Sequence, residues 1–258
     1  MGRSMTDASL PARFSESDFR VGRVLNRTAS VLSRNFLTFF VVTAVAHLPT
    51  LLLFKGSSSA GAAASAGEII QSVVVILLGV VLMIVLSTLS QAIVLYGAFQ
   101  DMRGRPVSLT ESLQVGLRRF FPIIGLAICM TLLGALAAIA FIIPAFILFT
   151  MWFVATPACV VEQLGPSNSM RRSSQLTKGH RWKIFGLMLL LIIASGVASQ
   201  TITVALTAIG GEPLALIGDV LWNGVWGAFY AISVVVTYHD LRVAKEGIDI
   251  EQIASVFD

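Results

Sequence analysis

The stretch FFPIIGLAICMTLLGALAAIAFIIPAFILFTMWFVATPACVV, residues 120–161, decides the fold. Its 42 residues contain no Asp, Glu, Lys or Arg. As one helix rising about 1.5 Å per residue it would be roughly 63 Å long, twice the ~30 Å hydrocarbon core of a bilayer. The stretch is therefore expected to fold back on itself. Pro144 marks the place, because proline disfavours helix at Ile143 and removes a backbone donor. Two spans result, at about residues 122–141 and 145–161.

Outward from this stretch the same pattern repeats. Residues 35–54, 69–100, 184–211 and 220–239 are also free of charge. They give spans at about 36–54, 69–99, 184–209 and 213–238. The second is some 30 residues long and must tilt or extend past the hydrocarbon. Gly210 and Gly211 stop the fifth span, and Pro213 suits the first turn of the sixth. Of the 258 residues, 56% are hydrophobic and 12% charged. So few charges cannot cover a soluble domain of this size, since charged residues usually make up about a quarter of a chain. The expected fold is all-α: a polytopic membrane protein of six transmembrane helices in three hairpins.

Six spans put both ends of the chain on one side. Arg3, Arg13, Arg20, Arg23, Arg27 and Arg34 precede the first span, and Arg103, Arg105, Arg118 and Arg119 separate the second from the third. Arg171, Arg172, Lys178, Arg181 and Lys183 separate the fourth from the fifth, and Arg242 and Lys245 follow the sixth. Only Lys55 falls on the other side, so 17 of 18 basic residues share one face. The positive-inside rule makes that face, and both termini, cytoplasmic. The net charge of +4 then separates into +6 on the cytoplasmic side and −2 elsewhere, from Lys55 against Glu68, Glu212 and Asp219. The first 34 residues are polar, so no secretory signal peptide is expected there. Residues 1–18 read as a polar disordered tail, 19–240 as the transmembrane domain with its interfacial helices, and 241–258 as a cytoplasmic tail.

Each odd-numbered span follows a basic segment ending in aromatics, with a short amphipathic helix upstream. In the first, Val24, Thr28 and Val31 oppose Arg20, Arg23, Arg27 and Arg34. The second starts with a capping box, Ser108 and Glu111, and carries Leu109, Leu113 and Leu117 at helical spacing. The third runs from about Ser167 to Lys178, with Gly179 as its C-terminal cap. Such helices orient the chain in the membrane. Their cations Arg118, Arg119, Arg171, Arg172, Lys178, Arg181 and Lys183, with Trp182, also form a candidate surface for anionic phospholipid or a partner.

Within the spans the candidate polar residues are His47, Gln91, Asp219 and Asn223. Asp219 and Asn223 lie four apart and share a helix face, and Asp219 has Lys55 as a candidate partner. Gln91 belongs with Ser87 and Ser90 in a polar stripe; Gln200, Thr201 and Thr203 form another. Intramembrane polar groups either join helices or line a path. Gly134 with Ala138, Ala194 with Ala198, and Gly224 with Ala228 show the small-xxx-small spacing that permits close packing. Cys129 and Cys159 belong to no CxxC or His/Cys cluster and read as small buried hydrophobes. No HExxH, P-loop or GxSxG motif occurs. No enzyme activity, metal or cofactor is expected, and the basic loops lack a nucleic-acid-binding fold. A homo-oligomer is compatible with the apolar helix flanks.

The connection between the fourth and fifth spans carries a resemblance. Ala155-Thr156-Pro157, Val160-Val161-Glu162, Gly165-Pro166, Ser169, Arg171-Arg172-Ser173, Leu176-Thr177-Lys178-Gly179 and Trp182-Lys183-Ile184 follow in order. Arg103-Gly104-Arg105 and the closing residues Tyr238, Asp240-Leu241-Arg242, Lys245-Glu246-Gly247 and Asp249-Ile250 extend it. The pattern resembles the membrane domain of glycerophosphoryl diester phosphodiesterases and a related set of uncharacterised bacterial six-span inner-membrane proteins. The resemblance implies a six-helix inner-membrane fold. It does not imply the phosphodiesterase reaction, because the catalytic part of those enzymes is a separate barrel needing about 250 residues. Two functional readings follow. One is a non-enzymatic membrane module engaging anionic lipid or partners through its basic face. The other is a transporter or lipid-translocating protein with a path near Asp219 and His47.

Overall fold

The computed structural model describes residues 19–50, 65–140 and 142–246. Every regular element among them is a helix: α1 (Val21–Arg34), α2 (Phe36–His47), α3 (Ala66–Met102), α4 (Leu109–Ala140), α5 (Ile142–Trp152), α6 (Ala155–Val161), α7 (Pro166–Thr177) and α8 (Arg181–Glu246). Helices α3, α4 and α8 are long and apolar enough to cross a membrane. Helices α1 and α2 meet at 92° and together make a fourth candidate.

The 42-residue stretch does fold back. A Cβ on Gly134 of α4 would stand 2.7 Å from the Phe149 ring of α5, so the chain has reversed between them. Pro144 lies within the first turn of α5, where a missing N–H costs nothing. The span expected at 145–161 is broken again: α5 ends at Trp152 and α6 begins at Ala155. Pro157 explains the break, because its ring would clash with the Phe153 carbonyl four residues back. At the middle basic segment there is no break at all. Helix α4 runs unbroken from Leu109 through Pro122, so the separate amphipathic helix expected there is its first turns.

Helix α8 is two arms joined at Gly211, whose φ of 71° and ψ of −169° lie outside helical space. Thr203 on one arm donates a hydrogen bond of 2.8 Å to Asp219 Oδ1 on the other, which fixes the arms side by side. Gly218 lets them approach, since a Cβ there would overlap Leu206. The conformation of Gly211 is one that only glycine adopts readily, at a cost of about 1–3 kcal/mol for other residues. Gly211→Ala is therefore expected to lower thermal stability in detergent, while Gly186→Ala, where a Cβ meets open space, should leave it unchanged.

Helix α2 packs on the second arm of α8 through small residues. Thr43 Oγ1 donates to the Gly224 carbonyl, and a Cβ on Gly224 would meet Ala44 at 3.0 Å. Ala228, one turn on, is fully buried. Of the three small-residue pairs, Gly134 instead receives an aromatic ring, and Ala194 faces outward.

The outer surface is apolar. In the most apolar stretches of α3, α4 and α8 only 11%, 17% and 11% of residues are buried. Exposed side chains include Leu78, Leu136, Ile139, Val197 and Ile209. Water does not tolerate a contiguous apolar surface of this extent, and a bilayer does. This is a membrane protein.

Close packing is concentrated at one end. The last turns of α8, residues 231–241, are buried throughout. Around them gather Val24 and Val31 of α1, Phe39 of α2, Leu95 and Ala98 of α3, Leu176 of α7, and Ile184 and Leu187 at the start of α8. This corrects the expectation for α1: its apolar stripe faces protein, not membrane. Helix α8 continues past residue 240 to Glu246, with Leu241 buried. The expected tail at 1–18, the remainder of the C-terminal tail and Lys55 lie outside the described residues.

Candidate functional site

The packed end of the bundle is also its basic end, and its ionic contacts join distant segments. Arg27 of α1 reaches Asp240 Oδ1 (3.4 Å) and His239 Nδ1 (3.3 Å) at the end of α8. Arg34 and Asn35, at the α1–α2 corner, both donate to Asp101 at the end of α3. Arg119 of α4 donates to the Gln163 carbonyl beyond α6 at 3.1 Å. Arginines of α1 and α4 thus tie the ends of α3, α6 and α8 together at one end.

Arg172 is the centre of this arrangement. Its Nε lies 2.9 Å from both carboxylate oxygens of Glu162, and its Nη2 donates to Glu246 Oε1. Arg242 donates to the other oxygen of Glu246 at 2.9 Å, and Tyr238 donates to Glu162 Oε1 at 2.6 Å. Burial would raise the Glu246 carboxyl, but the Arg242 and Arg172 guanidiniums outweigh it and hold the group below its usual value of 4.5. One arginine therefore clamps the end of α6 to α7 and to the last turn of α8.

The same elbow explains α7, whose apolar content is thin. Its buried face is Ser169, Ser173, Leu176 and Thr177. Ser173 Oγ donates to the Met151 carbonyl at 2.7 Å, and Thr177 Oγ1 approaches the same oxygen at 3.4 Å. In an unbroken helix that carbonyl would accept from Ala155; the break before α6 frees it. Pro166 opens the helix, and Gly179 follows it with φ of 89°. The residues that carry the resemblance are thus mostly those that build this joint.

The predicted surface residues divide accordingly. Arg172 and Arg119 are spent inside the fold. Arg118, Arg171 and Lys178 are exposed and make no ion pair among the described residues. Trp182 is 86% exposed and Lys183 is exposed beside it. Arg181 and Trp182 border a groove of about 440 Å³ whose other walls are Phe146, Ile147, Thr150 and Phe185. The Arg181 Nε is buried there without a hydrogen-bond partner among the described residues. Leu109, Leu113 and Leu117 stay exposed on α4 beside Arg118, so this leucine stripe, unlike that of α1, is available to a membrane. The expected capping box is half formed. Ser108 Oγ accepts from the Glu111 N–H at 3.4 Å, while the Glu111 carboxylate goes to Tyr96 and Gln100 on α3. A complete box, not anticipated, starts α3 at Ser65 and Glu68.

The intramembrane candidates do not form one site. Asp219 accepts from Thr203, and the Asn223 amide donates to the Asp219 backbone carbonyl at 2.7 Å. His47 faces Gly227 across the α2–α8 contact. Gln91 alone borders a cavity, of about 280 Å³, together with Thr88, Thr131, Thr156 and Tyr230. Neither His47 nor Asp219 lines it. Thr131 and Tyr230 were not singled out in the sequence, and Thr156 stood there only within the Ala155-Thr156-Pro157 motif; the one available signal was an isolated hydroxyl in an otherwise apolar span. No three metal-ligating side chains come together among the described residues. The chain matches no protein-family model, no curated protein and no solved structure.

Proposed function

We propose that this is a non-enzymatic six-span protein of the bacterial inner membrane, both termini cytoplasmic, that engages anionic phospholipid through its basic end. One observation carries the reading. Arg118, Arg171 and Lys178 are exposed and lack acidic partners among the described residues, and Trp182 is 86% exposed. Each cation near an anionic membrane surface contributes about 1 kcal/mol of attraction. The adjoining groove fits a phospholipid: Arg181 supplies a donor for a headgroup phosphate, and Phe146, Ile147 and Phe185 supply a wall for an acyl chain. The reversal between α4 and α5, the side-by-side arms of α8 and the packing of α2 on α3 support a reading as six spans in three pairs, and the motif order around the α6–α8 elbow supports kinship with the phosphodiesterase membrane domains. Asp219 and His47 take part in helix contacts, so a path beside them has less support.

The test is quenching of tryptophan fluorescence in vesicles containing brominated phosphatidylglycerol or brominated phosphatidylcholine. Phosphatidylglycerol is expected to quench more strongly at 0.15 M salt. The difference should shrink at 1 M, where the Debye length falls to about 3 Å, and in Trp182→Phe. Equal quenching by the two lipids at low salt would count against lipid selectivity.

A further inference from the structure

The cavity bordered by Gln91 lies among α3, α4, α5, α6 and both arms of α8. Tyr230 enters it two turns inward from Tyr238, so the cavity sits below the basic end, at membrane depth. The Gln91 amide and the Thr131, Thr156 and Tyr230 hydroxyls make no side-chain hydrogen bond with any described residue. Thr88 donates back to the Ile84 carbonyl and retains accepting capacity. Tyr230 is held edge-on against Phe153 yet is 37% exposed. Unpaired polar groups in a bilayer interior are costly, so four of them around one space call for an occupant with hydrogen-bonding capacity.

Two features define that occupant. No charged side chain lines the cavity, so a charged group would enter without a counter-ion, at high cost. The remaining walls are apolar, including Ile123, Leu126, Met130 and Phe149. Water filling the space, on the order of nine molecules at ~30 Å³ each, would lie against the apolar walls as well as the polar groups. A molecule with an uncharged polar end and an apolar body satisfies both sets of walls.

We propose that this cavity binds the hydroxyl and ester region of an uncharged glycerolipid of the diacylglycerol class. Gln91 and Tyr230 hydrogen-bond its polar end, and its chains leave along the apolar wall. The site is separate from the basic surface, and its recognition does not depend on anionic charge.

The test uses a diazirine-bearing diacylglycerol in phosphatidylcholine vesicles containing the full-length protein, with crosslinks mapped by peptide mass spectrometry. Crosslinks are expected on cavity residues of α3, α4 and α5. Dioleoylglycerol should compete for them and dioleoylphosphatidic acid should not. Gln91→Leu and Tyr230→Phe should each weaken competition about three- to tenfold, the scale of one lost hydrogen bond. Thr131→Val, nearly isosteric, serves if either variant loses its thermal transition. Crosslinks confined to the outer lipid-facing surface, or equal competition by phosphatidic acid, overturn the proposal. So does aqueous thiol-reagent modification of Thr131→Cys that added dioleoylglycerol leaves unchanged, since that describes a water-filled space.

Discussion

Arg172→Ala is expected to lower the thermal midpoint of the protein in detergent by about 10 °C. The estimate rests on what the substitution leaves behind. Glu162 and Glu246 keep side-chain exposures of only 18% and 22%, so removing the guanidinium leaves Glu162 with no cation and only the Tyr238 hydroxyl, and leaves Glu246 to Arg242 alone. Breaking a buried pair costs about 3–5 kcal/mol, and partial exposure reduces this to about 2–4. For a chain of this size 1 kcal/mol shifts the midpoint by about 2–4 °C. The loss comes from leaving Glu162 without a cation more than from the attraction itself. Arg172→Lys should recover part of it, because a lysine keeps the charge without the planar fork that serves Glu162 and Glu246 together. Arg118→Ala, with no ion pair to break, should change the midpoint little. Acid should have a related effect. The Glu246 carboxyl is held below 4.5 in the fold, so its contribution is complete above that pH and is lost as pH falls through the depressed value. A midpoint indifferent to Arg172→Ala would remove the clamp from the account.

The second large effect concerns the surface. Replacing Arg118, Arg171 and Lys178 by alanine together is expected to cut the preference for phosphatidylglycerol over phosphatidylcholine by up to about a hundredfold. Each cation contributes about 1 kcal/mol, or about fivefold. None of the three has an acidic partner among the described residues, so the thermal midpoint should hold. That separation is informative. Loss of selectivity at constant stability assigns these residues to the membrane surface, whereas loss of stability would assign them to the fold.

Much of this architecture was legible because a bilayer constrains a sequence severely. The charge-free run at 120–161 had to reverse, and the Gly134–Phe149 contact shows that it does. Gly211 and Pro213 similarly marked the turn within α8. Less legible was anything depending on what a face meets. Val24 and Val31 of α1 and Leu113 and Leu117 of α4 make comparable stripes in sequence. The first is buried against the end of α8, and the second is exposed. Glu111 looked like a capping residue because its competing partner, Tyr96, lies on another helix. Glu162 stood in the sequence only as part of a motif, and its pairing with Arg172 appears once α6 and α7 have packed. The cavity was hidden for a related reason: Gln91 stood out in its polar stripe, while Thr131, Thr156 and Tyr230 meet it only once five elements have packed.

We propose that every basic connection lies on the cytoplasmic side and every short apolar turn on the other. Single cysteines at Arg105, Lys178 and Glu212, in a protein with Cys129 and Cys159 replaced, test it most directly with a membrane-impermeant maleimide on intact spheroplasts. Glu212→Cys is expected to be labelled at once, and Arg105→Cys and Lys178→Cys only after the membrane is permeabilised. Labelling of Glu212→Cys and Lys178→Cys from the same side would contradict it.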